Sequence, residues 1–255
     1  MRSASLSDKW LMSVSQAATG TIRWILNFAL PPRCAGCGAI VEEVDSFCAS
    51  CWTQIEFLRG GCVTCGRPLE ATDAESCGAC VAAAPRIART RAAVVYDEIP
   101  RGVALKLKYG RKVALARTMA RYMAPLLGEL PEGSLIAPVP LHRRRLWERG
   151  FNQAAFVAVE ISRKTGVPAE NRLLERVKST PPLKGMSLAQ RRRTVAGAFR
   201  VRGGTELRGR TVVLVDDVLT TGSTADACAK ALKKAGAERV ELVSWARVIR
   251  PSQLA

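Results

Sequence analysis

Residues 212–224 read Val-Val-Leu-Val-Asp-Asp-Val-Leu-Thr-Thr-Gly-Ser-Thr, an apolar, β-branched run that meets two adjacent carboxylates and passes into a loop of small hydroxyl residues. Such a run marks a strand buried on both faces of a parallel sheet, and sheets of that kind hold ligands beyond the carboxyl ends of their strands. Asp216 and Asp217 are expected at that end. From Leu219 through Thr220, Thr221, Gly222, Ser223 and Thr224 the chain then offers backbone N–H groups, hydroxyls and the start of a helix. That set suits a phosphate monoester, and Gly222 lets the backbone come close to it. Two carboxylates would repel a phosphate unless they accept hydrogen bonds from hydroxyl donors. The pattern therefore predicts a sugar phosphate, with ribose hydroxyls on Asp216 and Asp217 and the phosphate in the loop. An ordinary βα turn with surface acids and a Thr cap is the competing reading.

The rest of the second half alternates strand and helix signals. Residues 92–96, 135–139 and 239–245 read as strands; 102–108, 113–127, 152–164 and 223–235 read as helices, the last stopped by Gly236. This alternation predicts an α/β fold on a parallel sheet. Past the 135–139 strand come His142, Arg143, Arg144, Arg145 and Arg149, a guanidinium cluster suited to the several oxygens of a pyrophosphate. A solvated charge run would look the same. His142 is the sole histidine, and no nucleophile elbow accompanies it, so it reads as a proton donor, a phosphate ligand or a plain loop residue. Residues 176–202 are polar and dense in Arg176, Lys178, Lys184, Arg191, Arg192, Arg193, Arg200 and Arg202. They predict a long mobile flap that closes over a sugar diphosphate and excludes water, or else tracks a nucleic-acid backbone. Phe199 is the one aromatic ring there, which weighs against a base-stacking platform.

Eight of the nine cysteines form four Cys-x-x-Cys pairs, Cys34/Cys37, Cys48/Cys51, Cys62/Cys65 and Cys77/Cys80, separated by ten, ten and eleven residues. Two such pairs complete a closed tetrahedral site of four thiolates, so the spacing predicts two structural Zn2+ ions with no open coordination position. Sequential pairing is the simplest arrangement; interleaved pairing is open on spacing alone. A disulfide scaffold is disfavoured, because nothing in the chain reads as an export signal. Gly38 and Gly66 follow the second cysteine of two pairs, where a turn must aim N–H groups at sulfur. Cys228 falls on a helical stripe with Ala225, Ala231, Leu232 and Ala235 and reads as core.

The formal charge is +17, and about +13 once two zinc ions bind eight thiolates, which points to a polyanionic ligand or partner. No stretch approaches the roughly 20 uninterrupted apolar residues of a membrane span, so the chain is expected to be soluble and cytoplasmic. Residues 1–30 carry scattered apolar positions interrupted by Gln16, Arg23 and Asn27, and predict an amphipathic helix docked on the body.

The 212–224 stretch resembles the phosphoribosyl pyrophosphate (PRPP) motif of type I phosphoribosyltransferases. Together with the four cysteine pairs, Leu107-Lys108-Tyr109-Gly110, residues 138–153 including Arg149-Gly150-Phe151-Asn152-Gln153, Thr180-Pro181 and Gly197-Ala198-Phe199, it resembles the ComF family over nearly everything after residue 30. After the N-terminal helix expected at 1–30, that resemblance implies a double zinc ribbon at 31–84 and a type I phosphoribosyltransferase-like domain at 85–255. It implies PRPP as ligand, with Mg2+ bound chiefly through ligand oxygens. Asp216 and Asp217 would hold the ribose and Leu219 to Thr224 the 5′-phosphate. His142 to Arg145, Arg149 and the flap's Arg191 would face the pyrophosphate. A role in uptake or use of exogenous DNA follows from the family, with single-stranded DNA and the uptake machinery as implied partners and a homodimer common for the fold. The alternative is a non-catalytic single-stranded DNA-binding or PRPP-sensing protein. Family members commonly carry Gln where this chain has Leu183 and Asn where it has Thr194.

Overall fold

The apolar run at 212–219 lies inside a four-stranded parallel sheet, in a computed structural model that describes residues 31–69, 74–181, 185–203 and 205–249. The first elements are α1 (Ala49–Thr53), α2 (Gly78–Ala82), β1 (Arg89–Val95), α3 (Glu98–Tyr109) and α4 (Leu115–Met123). Then come β2 (Leu135–Pro138), α5 (Arg143–Arg149), α6 (Gln153–Thr165) and β3 (Leu174–Arg176). The chain continues through α7 (Leu188–Val195), β4 (Phe199–Val201), β5 (Thr211–Leu219), α8 (Ser223–Lys234) and β6 (Arg239–Arg247). The main sheet runs β1-β6-β5-β2, and β3 and β4 form an antiparallel hairpin beside it. The amphipathic helix expected at residues 1–30 lies outside the described residues, as do Leu183 and Lys184.

Local chemistry explains where elements differ from expectation. The helix expected at 102–108 starts earlier, because Asp97 accepts the Glu98 N–H at 2.8 Å and caps it. The helix expected at 113–127 stops at Met123 and tightens into a 3-10 turn, Ala124–Leu126, where Pro125 has no N–H to donate. Two segments expected as loops are helical. His142 Nδ1 accepts the Arg144 N–H at 3.3 Å to start α5, and Gly150, at φ 79°, closes it. Inside the expected flap, Ser187 and Gln190 form a reciprocal capping box that seeds α7. The stretch is therefore built from the β3–β4 hairpin and α7 rather than from irregular chain.

Each face of the sheet covers its own core. Val213, Val215 and Val243 pack with α3, α4 and α6 on one side. Val212, Leu214 and Leu242 pack with Cys228, Ala229 and Leu232 of α8 on the other. Cys228 is fully buried, as its stripe predicts. The cysteine-rich region joins the first core through Cys34, Phe47, Cys51 and Ile55. Phe47 stacks on Trp245 at 6.3 Å, and the buried Trp245 indole N–H donates to Pro100 O at 3.0 Å. Residues 56–58 also pair antiparallel with β1, where Leu58 N–H donates to Ala93 O at 3.0 Å and Val95 N–H to Glu56 O at 2.9 Å.

Candidate functional site

β2 ends at Pro138, opposite Val215, while β5 runs on to Leu219 beside β6 alone. The helices that follow these two neighbouring strands cover opposite faces, α6 with the first core and α8 with the second. A crevice at the carboxyl end of a parallel sheet opens at such a switch point. Asp216 and Asp217 lie within β5 rather than at its end, and the unbroken register there, Asp216 opposite Ser244 and Val218 opposite Ala246, turns them to opposite faces.

Asp217, 5% exposed, meets Lys108 Nζ at 2.5 Å and lies 3.5 Å from Gln153 Nε2. Arg149 extends this chain of contacts, donating to Gln153 Oε1 at 3.3 Å and Tyr109 Oη at 3.2 Å, with its guanidinium 5.0 Å from the Tyr109 ring centre. Lys108 and Gln153 carry no site signal of their own in the sequence; what points to them is membership in the Leu-Lys-Tyr-Gly and Arg-Gly-Phe-Asn-Gln stretches.

Asp216 faces Cys228 and Arg176. Burial, then the neighbouring Asp217 charge, lifts its carboxyl to about 8 against the pull of Lys108 and the Asp217 N–H. An ordinary Asp titrates near 3.9. Between about 4 and about 8 the folded chain therefore holds this proton more tightly than the unfolded chain, and folding stability drains away as pH rises through that window. Asp216→Asn is expected to be more heat-stable than wild type at pH 8 and to lose most of that advantage by pH 5. Melting curves of both proteins from pH 5 to 9 check this, and parallel curves would refute it.

Gly222 turns the chain at φ 74° as the N-cap of α8, and no side chain caps that helix, which leaves its first N–H groups facing the crevice. Thr221 and Ser223 hydroxyls are 2.9 Å apart. Arg191, 8% exposed, donates to Thr220 Oγ1 at 3.0 Å and to Met186 O at 3.0 Å, so α7 is already latched to the loop. Leu219 points into the second core, and Thr194 returns its hydroxyl to Gln190 O at 2.8 Å. The arginines of α5 diverge. Arg144 pairs with Glu148 at 3.0 Å, Arg149 faces Tyr109, and Arg143 lines a cleft of about 480 Å3 with Glu175, Arg200 and Arg202. That cleft is formed by the hairpin and not by the carboxylates.

The cysteines sort sequentially. Cys34, Cys37, Cys48 and Cys51 place their sulfurs within 4.8 Å of one another, and so do Cys62, Cys65, Cys77 and Cys80. Zn–S bonds near 2.3 Å imply tetrahedral S···S edges of roughly 3.8 Å. Cys37–Cys48 and Cys65–Cys77 measure 3.6 and 3.7 Å. Burial opposes ionisation of Cys34, but N–H groups of Cys37, Cys48 and Gly36 outweigh it and bring the thiol to about 6; Cys62 falls to about 6 by the same balance. Burial and its thiol neighbours push Cys51 up to about 12. Crowded sulfurs served by backbone donors suit a dication, so the two tetrads fit Zn2+ as closed, structural sites. Gly66, at φ 65°, also brings the second turn against β1, since a Cβ there would sit 2.4 Å from Thr90 O.

Among the described residues no helix is long and apolar enough to cross a membrane. A family profile described as double zinc ribbon domain matches residues 25–81, and one described as phosphoribosyl transferase domain matches residues 151–251. The chain is 32% identical over 223 residues to Competence protein F of Haemophilus influenzae, covering 84% of this chain and 96% of that protein. It is 29% identical over 209 residues to DNA utilization protein YhgH of Escherichia coli K12, covering 79% and 90%. To Competence protein ComFC of Bacillus subtilis it is 22% identical over 207 residues, covering 77% and 82%.

Proposed function

Because this chain belongs to the ComF family, we propose that the crevice between β2 and β5 binds PRPP with Mg2+ and serves uptake or utilisation of exogenous DNA. One observation supports the reading: two carboxylates and an uncapped helix N-terminus entered through Gly222 stand at the same end of β5. Asp216 accepts from ribose hydroxyls, Asp217 lines the ribose from the other face, and Thr220 to Thr224 bind the 5′-phosphate. The pyrophosphate lies toward His142 to Arg145, with Mg2+ held chiefly by ligand oxygens. Phosphoribosyl transfer would break the bond between C1′ and the pyrophosphate oxygen, release pyrophosphate with the electron pair and join C1′ to the acceptor nucleophile. The α7 region excludes water during that step. The tetrads fit a cytoplasmic setting, where thiols stay reduced.

Calorimetric titration of zinc-loaded protein with PRPP and Mg2+, beside Asp216→Asn/Asp217→Asn, tests the site. Saturable binding lost in the double variant is the expected result; no binding by wild type refutes it. A second reading, single-stranded DNA binding, is favoured by Trp147, 88% exposed on α5 among Arg143, Arg144, Arg145 and Arg149. An exposed ring among guanidinium groups can stack bases along a neutralised backbone. Oligonucleotide binding that weakens steeply with salt and survives the Asp substitutions is the result that selects it.

A further inference from the structure

Within the PRPP reading of the crevice, we infer that Arg176 of β3 is a further ligand-binding residue, whose guanidinium takes an oxygen of the pyrophosphate group. Arg176 is 9% exposed, yet among the described residues its buried Nε has no hydrogen-bond partner and no carboxylate lies in ion-pair reach of it. Its Nη2 donates to Thr180 Oγ1, and its guanidinium sits 5.3 Å from the Phe199 ring centre. Neither contact satisfies Nε–H or neutralises the charge, and a buried guanidinium left without an anion is costly.

The hairpin itself offers an anion and turns it away. Glu175, one residue earlier, faces outward and pairs with Arg200 and with Arg202 at 3.5 Å. Alternation along β3 then sends Arg176 inward, alone. The backbone of Arg176 bridges His142, the residue that opens the arginine-bearing helix α5. Burial and then the nearby Arg145 charge weaken its hold on its proton, and Asp216 compensates only in part. Two guanidinium groups and one carboxylate thus lie within electrostatic range of one another, an excess of positive charge that an anion would balance. The 5′-phosphate loop already has Arg191 on Thr220. The position beside His142 leaves the pyrophosphate as the group Arg176 meets.

The test compares wild type, Arg176→Met and Arg176→Lys by titration with Mg2+-pyrophosphate, ribose 5-phosphate and PRPP with Mg2+, and by melting of the ligand-free proteins. Arg176→Met is expected to lose roughly 10- to 100-fold in affinity for pyrophosphate and PRPP, the scale of one charge-assisted hydrogen bond. Its ribose 5-phosphate affinity should be unchanged, and its ligand-free melting temperature equal to or above wild type, because a buried unpaired charge has gone. Arg176→Lys should recover part of the loss. A Met variant that melts lower and binds pyrophosphate like wild type overturns the inference and makes Arg176 a packing residue. Wild type that binds PRPP and ribose 5-phosphate but not pyrophosphate overturns it while sparing the site; wild type that binds none of the three overturns the PRPP reading and this inference together.

Discussion

Cys51→Ser is expected to lower the unfolding temperature of the whole chain by roughly 10–20 °C, and Cys80→Ser by less than half of that. Structural zinc contributes roughly 10–16 kcal/mol to small Cys-rich modules, more than the roughly 5–15 kcal/mol that separates folded from unfolded in a typical domain. Where that energy goes depends on what each ion holds. The first tetrad lies in the main core: Cys34 and Cys51 are 3% and 5% exposed and share a cluster with Phe47, Leu107 and Trp245. Loosening it withdraws Phe47 from Trp245 and opens the sheet's first face to water. The second tetrad belongs to neither core and is tied to the sheet by hydrogen bonds onto its backbone carbonyls, Thr90 N–H to Thr64 O at 2.7 Å and the Arg247 side-chain Nη1 to Cys65 O at 2.5 Å. Its loss should fray residues 61–69 and 74–82 and leave the α/β body cooperative. Calorimetric melting with zinc counted per chain decides the matter, and equal losses in the two variants would sink the asymmetry.

Lys108→Met should be nearly as damaging, and repairable. Asp217 is 5% exposed and its near contact is Lys108 Nζ at 2.5 Å. Removing one partner of a buried pair typically costs roughly 3–5 kcal/mol, or about 6–20 °C in a chain of this size, because the orphaned charge stays buried. Lys108→Met/Asp217→Asn removes both charges and should regain most of the loss; a double variant no more stable than Lys108→Met contradicts the pairing. The alkaline limb gives a second reading. Burial works against the Lys108 ammonium, yet the Asp217 charge and hydrogen bond prevail and raise its pKa. A raised lysine contributes fully below the unfolded value near 10.4 and is lost as pH climbs through the higher folded value. Wild type should therefore lose stability above about pH 10 more steeply than the double variant.

Much of this arrangement could be read from residues whose chemistry is local. Cys-x-x-Cys spacing dictates a tetrahedral cluster because two thiols three residues apart can meet one ion, and the sequential pairing follows once the two turns fold. The Val-Val-Leu-Val run is unmistakable as a buried strand. What it hid was length: pairing with β6 carries β5 through both carboxylates, so they separate onto two faces instead of projecting together. The arginine-rich stretches misled for a related reason. Net charge suggested loops, while Ser187 with Gln190 and His142 with Gly150 supply capping signals that outweigh it. Lys108 and Arg176 lie about 110 and 40 residues from the carboxylates they approach, and no periodicity or spacing reports a contact made across the sheet.

β1 is bordered by residues 56–58, and β2, four residues long and ending at Pro138, is bordered by residues 168–170, where Ile136 N–H donates to Pro168 O and Glu170 N–H to Ile136 O, both at 2.8 Å. Neither margin offers a free ladder of backbone groups to a second chain. Among the described residues, strand addition at either margin of the four-stranded sheet is thereby blocked, so that sheet does not extend into a second copy.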